Sequence, residues 1–193
     1  MDVATAVRAI MLFCIATEVI TVNICKPKVI DKIYRINRHQ DYNTTLDTNS
    51  ALGLLTFCSV TKGALIPGVK CVEGSVDPPH NNSAEAHVKF YFKKPSRVPV
   101  VKNYTQCAQE KGYVKEYDAS KNLYNLYFIN IYGIVCYYRC IEGEVKDGKD
   151  FAAILKPVST QDQPEVLEAV AECKKKLKAV GITEPIDVDP CKY

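Results

Sequence analysis

The sequence predicts a mostly β protein: an eight-stranded antiparallel up-and-down barrel with one C-terminal α-helix at about residues 164–180. Short segments rich in β-branched and aromatic residues recur at regular spacing, and turn signals separate them. A single amphipathic helical stripe follows them near the C-terminus. Closing a sheet into a barrel removes its edges, and an eight-stranded barrel can hold one small ligand.

The predicted strands begin at residue 52. The segment 85–92 alternates most clearly, because Val88 and Phe90 fall on one side and His87 and Lys89 on the other. Residues 29–36 fit a first strand or a short helical turn, and residues 41–49 are predicted to be a loop. The predicted strands are 52–61, 69–76, 85–92, 98–104, 112–118, 122–131, 132–142 and 151–158.

The predicted helix has signals at both ends. Pro164 suits the first helical position, Glu165 lies where the helix dipole favours negative charge, and Gly181 suits the residue after the helix end. Apolar residues recur at helical spacing and form one stripe, which should lie on the outer wall of the barrel. This stripe consists of Val166, Val170, Cys173, Leu177 and Val180.

Residues 1–23 are predicted to be a secretory signal peptide, and residues 24–193 a single barrel domain. Arg8 precedes an apolar run at 9–16, and small residues follow, which places cleavage between residues 16 and 23. Glu18 interrupts the run, so it is too short to span a membrane. The alternative is an amphipathic helix kept in the mature protein, but the run has no polar face. We therefore expect a secreted, extracellular protein without membrane insertion.

The cysteines and sequons also indicate export. The chain has nine cysteines, and the eight that follow the signal peptide form an even set that predicts four disulfides in an oxidising compartment. No pair has C-x-x-C spacing, and no histidine is close to Cys136 and Cys140, so no metal site is predicted. Three sequons, at Asn43, Asn81 and Asn103, are candidate glycosylation sites.

The composition argues against an enzyme and against nucleic-acid binding. The formal charge is only +3, and no basic stretch is interleaved with aromatic residues. No glycine-rich phosphate loop or nucleophile elbow is present, and Asp47, Glu116 and Asp118 show no paired spacing for acid–base work. We predict no catalytic residues and no cofactor.

The tyrosines are the main signal for a binding site. The chain has twelve tyrosines and no tryptophan, and tyrosine suits a cavity that orients a ligand of mixed polarity. Ordinary core and surface packing explains them equally well. Strand alternation places Cys136, Tyr138 and Cys140 on one face. The two cysteines on this face should point outward and form disulfides with the N-terminal segment and the helix. The predicted ligand-binding residues on the inward faces are Tyr127, Ile129, Ile131, Val135 and Tyr137.

The C-terminal third resembles the insect-type secreted lipocalins, both the bilin-binding, apolipoprotein D-like group and the triabin-like salivary group. The similar features are the strand end Tyr137-Tyr138-Arg139-Cys140, the hairpin return at 150–155, the helix from Pro164 and the final Cys191. Cys25, followed by Lys-Pro-Lys-Val, is similar to the triabin-like mature N-terminus.

The chain lacks three sequence features of that family. The family's G-x-W motif is missing because the chain has no tryptophan, and Lys156 or Pro157 stands where the family has the arginine that packs over it. Asn130-Ile131-Tyr132 replaces the family's T-D-Y-like segment.

The resemblance also implies disulfide pairs. Lipocalins of this type tie the N-terminal segment to the penultimate strand, and the C-terminal tail to an early strand. Carried over, this implies Cys25–Cys140 and Cys58–Cys191. Cys136 faces outward and Cys173 lies on the buried helix stripe, which predicts a third pair. Cys71–Cys107 follows by elimination.

The resemblance implies a non-enzymatic carrier or scavenger that holds a small hydrophobic or amphipathic ligand in a barrel cavity. One alternative is a secreted salivary-type inhibitor that binds an extracellular host protein through barrel-mouth loops such as residues 95–97. Another is a purely structural secreted protein. Some salivary lipocalins hold haem through a strand histidine, but His87 shares its face with Lys89 and should face solvent.

Overall fold

The computed structural model describes residues 25–37, 45–61, 64–94, 96–109, 112–142, 149–183, 185–189 and 191. The segment 1–23 and the sequon at Asn43 lie outside these residues. The described residues form a closed antiparallel eight-stranded barrel followed by one long helix, as the sequence predicts.

Each strand of the barrel pairs with the next along the chain, and β1 pairs with both β2 and β8, which closes the sheet. A short ninth strand, β9 (Pro185–Asp187), pairs with the C-terminal end of β1, at residues 59–61. Every predicted strand is present, with ends that differ by a few residues. The barrel strands are β1 Leu55–Thr61, β2 Val69–Val76, β3 Ser83–Phe92, β4 Val100–Gln109, β5 Tyr113–Asp118, β6 Leu123–Phe128, β7 Val135–Glu142 and β8 Phe151–Pro157.

Among the described residues, two short helices precede the barrel. Helix α1 (Pro27–Ile36) decides the open question for residues 29–36 in favour of a helix. Helix α2 (Thr45–Ala51) lies where the sequence predicted a loop, so that prediction is wrong for the described part of 41–49. Its Thr, Asp, Asn and Ser residues have weak helix propensity. Because Leu46 is buried in the barrel-interior cluster, tertiary packing holds this helix at the closed end.

Helix α3 (Pro164–Val180) has the predicted bounds. Gly181 ends it in the left-handed conformation, with φ of 96°, and its N–H donates to the carbonyls of Leu177 and Lys178. The stripe that it buries differs from the prediction at one position, because Ala169 is buried and Val170 is half-buried.

Two apolar clusters lie on opposite sides of the sheet. The interior cluster fills part of the barrel and includes Leu55, Val72 and Leu126. The outer cluster lies between the barrel wall and helices α1 and α3, and includes Ile33 and Leu177. The β6–β8 wall is therefore apolar on both faces, which explains why this part of the sequence has continuous apolar runs.

Three disulfides join cysteines of the described residues. Cys25–Cys140 and Cys136–Cys173 join the N-terminal segment and helix α3 to strand β7, as predicted. Cys191 bonds to Cys71 on β2, so the predicted Cys58–Cys191 and Cys71–Cys107 pairs are wrong. Cys58 and Cys107 are free thiols. The C-terminal tail is bonded to an early strand, as the resemblance implied, but this strand is β2 and not its neighbour β1.

We expect Cys58 and Cys107 to be the alkylated residues among the eight cysteines of the described barrel in peptide mapping. Burial raises the pKa of Cys58 to about 11. Only on the order of one molecule in a thousand then carries the thiolate at pH 8, so iodoacetamide should label Cys58 slowly before denaturation and readily after it. Recovery of a peptide that joins Cys58 to Cys191 would contradict this arrangement.

Candidate ligand-binding cavity

The register between β6 and β7 decides which residues face the barrel interior. Phe128 lies opposite Tyr137, and Tyr127 lies opposite Tyr138. Directly opposed residues of an antiparallel pair point to the same face of the sheet. The inward face of β6 is therefore Tyr124, Leu126 and Phe128, all of which belong to the interior cluster.

Three of the five predicted ligand-binding residues are consequently misplaced. Tyr127, Ile129 and Ile131 belong to the outer cluster beneath the helices and cannot line the cavity. The error is a shift of one residue, which exchanges the two faces of a strand. Val135 and Tyr137 lie on the inward face as predicted, and both line the cavity.

Two adjacent chambers lie inside the described part of the barrel. The mouth chamber has a volume of about 170 Å³ and extends to the loop between β1 and β2. The inner chamber, of about 60 Å³, lies toward Asn49 of helix α2. Four residues line both chambers and mark the boundary between them: Phe57, Val88, Glu116 and Tyr137.

The two walls of the mouth chamber differ in chemistry. Its apolar wall comes from β8, β1, the loop after β1, β2 and β3. Its polar wall comes from β4, β5 and β7. The apolar lining residues are Phe57, Val60, Ala64, Leu65, Ile66, Val72, Val88, Phe90 and Phe151, and the polar lining residues are Lys102, Tyr104, Glu116, Tyr137 and Arg139.

A buried ion pair forms the centre of the polar wall. The Nε and Nη2 atoms of Arg139 lie 2.8 and 2.7 Å from Oε1 of Glu116. The amide of Gln106 donates to Oε2 of Glu116 at 2.8 Å. All three side chains point inward because Gln106 pairs with Glu116 across β4 and β5, and Arg139 lies on the inward face of β7. Both oxygens of the carboxylate are therefore occupied.

Aromatic rings surround the guanidinium of Arg139. Its central carbon lies 3.5 Å from the ring centroid of Tyr124, and 5.4 and 5.5 Å from those of Tyr104 and Phe151. Burial is the largest single effect and lowers the pKa of Arg139, but the charge and hydrogen bond of Glu116 act together with Tyr104 and Tyr137 and raise the pKa above its usual value. The residue stays positively charged inside the barrel.

Two tyrosine hydroxyls face the same chamber. Burial raises the pKa of Tyr104 to about 12, and burial also raises the pKa of Tyr137. Both therefore remain protonated at neutral pH and can donate a hydrogen bond. Neither hydroxyl has a hydrogen-bond partner among the described residues.

Tyr138, which neighbours Tyr137 in sequence, has a structural role on the other face. Its hydroxyl donates to Asp150 at 2.9 Å and accepts a bond from the backbone N–H of Lys26 at 3.1 Å. The Lys26 ammonium lies 2.8 Å from the same carboxylate. Together with Cys25–Cys140, these contacts fix the N-terminal segment to the outside of β7.

The remaining candidates lie on the surface. His87 bonds to Asn103 and Asp77, each through one ring nitrogen, and its side chain faces solvent as predicted. The sequon residue Asn81 lies in the tight turn between β2 and β3, and Asn103 lies on β4.

Within the described ranges, no group of three His, Cys, Asp or Glu side chains could hold a metal ion. No described helix is long and apolar enough to cross a membrane.

Sequence reasoning did not identify Gln106, Glu116 or Arg139 as site residues. The alternation of β7 placed Arg139 on the same face as Val135 and Tyr137. A charged residue on an inward face is itself a signal for a buried partner. Its partner lies 23 residues earlier in the chain and is recognised only once the strand neighbours are known.

This closed eight-stranded barrel, with a helix on its outer wall and a cavity inside, is the lipocalin fold. No family model matches the chain, and none of the curated proteins searched matches it in sequence. Solved structures resemble it at low identity. Lobster apocrustacyanin A1 has a TM-score of 0.61 and 14% identity over 90% of this chain and 93% of that one.

Two arthropod proteins with bound small molecules also resemble the chain. Japanin from Rhipicephalus appendiculatus, bound to cholesterol, has a TM-score of 0.52 and 8% identity over 73% of this chain and 94% of its own. The amine-binding protein of Rhodnius prolixus, in complex with tryptamine, has a TM-score of 0.50 and 10% identity, over 70% of this chain and 76% of that protein. At these identities the similarity shows the shared fold.

Proposed function

We propose that the protein is a secreted, non-enzymatic carrier or scavenger that holds a small amphipathic ligand in the mouth chamber. The observation that carries the proposal is the division of this chamber into one apolar and one polar wall. Binding pockets combine apolar lining with a few placed polar groups that orient the ligand. The structural relatives with cholesterol and tryptamine support the use of this fold for binding small molecules.

The chamber limits the size of the ligand. Its volume of about 170 Å³ is close to that of a cavity that binds benzene. A single ring or a short alkyl chain therefore fits, whereas a large pigment does not without displacement of side chains. Three disulfides support secretion, since such bonds persist in oxidising compartments. Native mass spectrometry of secreted protein tests the proposal, and we expect a co-purified small molecule.

Removal of the Tyr137 hydroxyl should weaken binding without a change in shape. One net hydrogen bond contributes roughly 0.5–1.5 kcal/mol, so Tyr137→Phe should reduce the affinity for a small single-ring amphipathic probe, 4-methylphenol, by about two- to twelve-fold. Displacement fluorescence measures this change. Tyr132→Phe is the matched control, because Tyr132 is 98% exposed and lies outside the cavity.

A blocking variant tests the location of the site separately. Val88 lines both chambers and is half-buried, so Val88→Phe should fill the space at their boundary and abolish probe binding in a folded barrel. Unchanged affinity in both Tyr137→Phe and Val88→Phe would show that the probe does not bind inside the barrel.

A surface feature favours the second candidate function, an inhibitor that binds an extracellular protein through mouth loops. In the described part of the β3–β4 loop, Val98 is 78% exposed and Val101 at the start of β4 is 56% exposed. Lys93, Lys94 and Arg97 flank these valines, and no acidic residue occurs from 93 to 102. An exposed apolar patch with a charged rim is typical of a protein interface. This function predicts that Tyr137→Phe and Val88→Phe have no effect on activity.

A further inference from the structure

We propose that the ligand of the mouth chamber carries a carboxylate, held by Lys102, Tyr104 and Arg139 while its apolar body lies against the wall from β1 to β3. This inference rests on the proposed function and specifies the chemical class of its ligand. Unused hydrogen-bonding groups, charge and space in the chamber support it independently of one another.

The polar wall has an excess of hydrogen-bond donors. Arg139 has five N–H groups. Nε and Nη2 each bond to Oε1 of Glu116, and the hydroxyl of Tyr124 is a further hydrogen-bond partner, so only part of the donor capacity of Arg139 remains for a ligand. The hydroxyls of Tyr104 and Tyr137 are two further donors on the same wall. These donors line the chamber, so a ligand with acceptor oxygens could bond to them.

The carboxylate oxygens of the polar wall are already used. The amide oxygen Oε1 of Gln106 is a buried acceptor without a partner, but Gln106 lines the inner chamber and not the mouth chamber. Arg139 occupies Oε1 of Glu116, and Gln106 occupies its Oε2. Asp118, at the end of β5, accepts bonds from the side chain of Asn122 and the hydroxyl of Tyr124, and it does not line the chamber. A ligand with an ammonium group would therefore find no unoccupied carboxylate on this wall.

The charges of the chamber point to the same ligand class. Lys102 and Arg139 are positive and Glu116 is negative, so the ionisable lysine, arginine and glutamate side chains that line it sum to +1. Lys102 is exposed at the mouth and has no ion-pair partner in the described part of the chain. A carboxylate beside Lys102 would balance this charge, and the guanidinium of Arg139 presents paired donors that match its two oxygens.

The opposite wall has the character needed for the ligand body. Phe57, Val72 and Phe90 offer only apolar surface there. The volume of about 170 Å³ leaves room for a short chain or one ring beyond the head group. The ligand class is therefore a compact amphipathic carboxylate.

Three eight-carbon probes with different head groups test the inference on the intact secreted protein. Isothermal titration calorimetry at pH 7.5 would compare octanoate, octan-1-ol and octylammonium. Hydrogen bonds and ion pairs to a charged head group are stronger than those to a neutral one. Octanoate should therefore bind at least about tenfold more tightly than octan-1-ol, and octylammonium should bind most weakly.

Lys102→Gln separates the head-group contact from general binding. This exposed substitution should lower the affinity for octanoate several-fold and leave that for octan-1-ol unchanged. Lys175→Gln makes the same charge change on the exposed face of helix α3, far from the chamber, and should leave both unchanged. If octan-1-ol or octylammonium binds as tightly as octanoate or more tightly, the carboxylate proposal is wrong, although the cavity still binds a ligand. No binding of any probe overturns the proposed function as well.

Discussion

Leu177→Asp is expected to prevent accumulation of folded protein. Leu177 is fully buried between helix α3 and the barrel wall, and it belongs to the outer cluster. The substitution removes buried apolar volume, which alone costs about 2–5 kcal/mol, and introduces an unpaired charge that cannot be solvated there. Domains of this size are stable by only about 5–15 kcal/mol, so the loss is comparable with the total stability.

Lys175→Glu is the control for this prediction. Lys175 lies on the exposed face of the same helix, so reversal of its charge should change the free energy of unfolding by at most a few tenths of a kcal/mol. The yield of folded protein and thermal unfolding measure the effect of both variants. Similar yields and melting temperatures for the two would mean that helix α3 does not pack on the barrel through Leu177.

The bounds of α3 could be predicted because its signals are local. Pro164 and Gly181 mark its ends within a few residues of the apolar stripe. Helix α2 has no such pattern, because the burial of Leu46 at the closed end of the barrel depends on strands that come later in the chain. Local periodicity therefore predicts helices and strands that bury a whole face, and it does not predict a short helix such as α2 that is held by tertiary contacts of a few residues.

The difference between local and long-range signals also explains why two of the five predicted cavity residues face the interior and three do not. Alternation within β7 was sufficient to place Val135 and Tyr137 inside the barrel. The face of β6 depends on its register with β7, and a single-residue change in the turn between them reverses the assignment of Tyr127. The disulfide of Cys191 shows the same dependence, since its partner lies on β2 instead of the adjacent β1.

Arg139→Met is expected to destabilise the barrel by about 3–5 kcal/mol, because it leaves the carboxylate of Glu116 buried without its charge partner. The side chains of Arg139 and Glu116 are only 13% and 7% exposed, so water cannot replace the lost ion pair fully. Gln106 remains bonded to Oε2 and solvates part of the remaining charge. The unfolding midpoint in urea measures the change.

The double variant Glu116→Gln/Arg139→Met should recover most of this loss. Removal of both charges eliminates the desolvation cost of the pair, and replacement of a buried ion pair by neutral groups of similar volume is often neutral or stabilising. The coupling energy from the double-mutant cycle should therefore be large, at roughly 2–3 kcal/mol. Additive effects of the two substitutions would show that the charges do not interact in the folded protein. A double variant that is as stable as the original chain but binds octanoate no better than octan-1-ol would mean that the ion pair serves ligand recognition at little benefit to the fold.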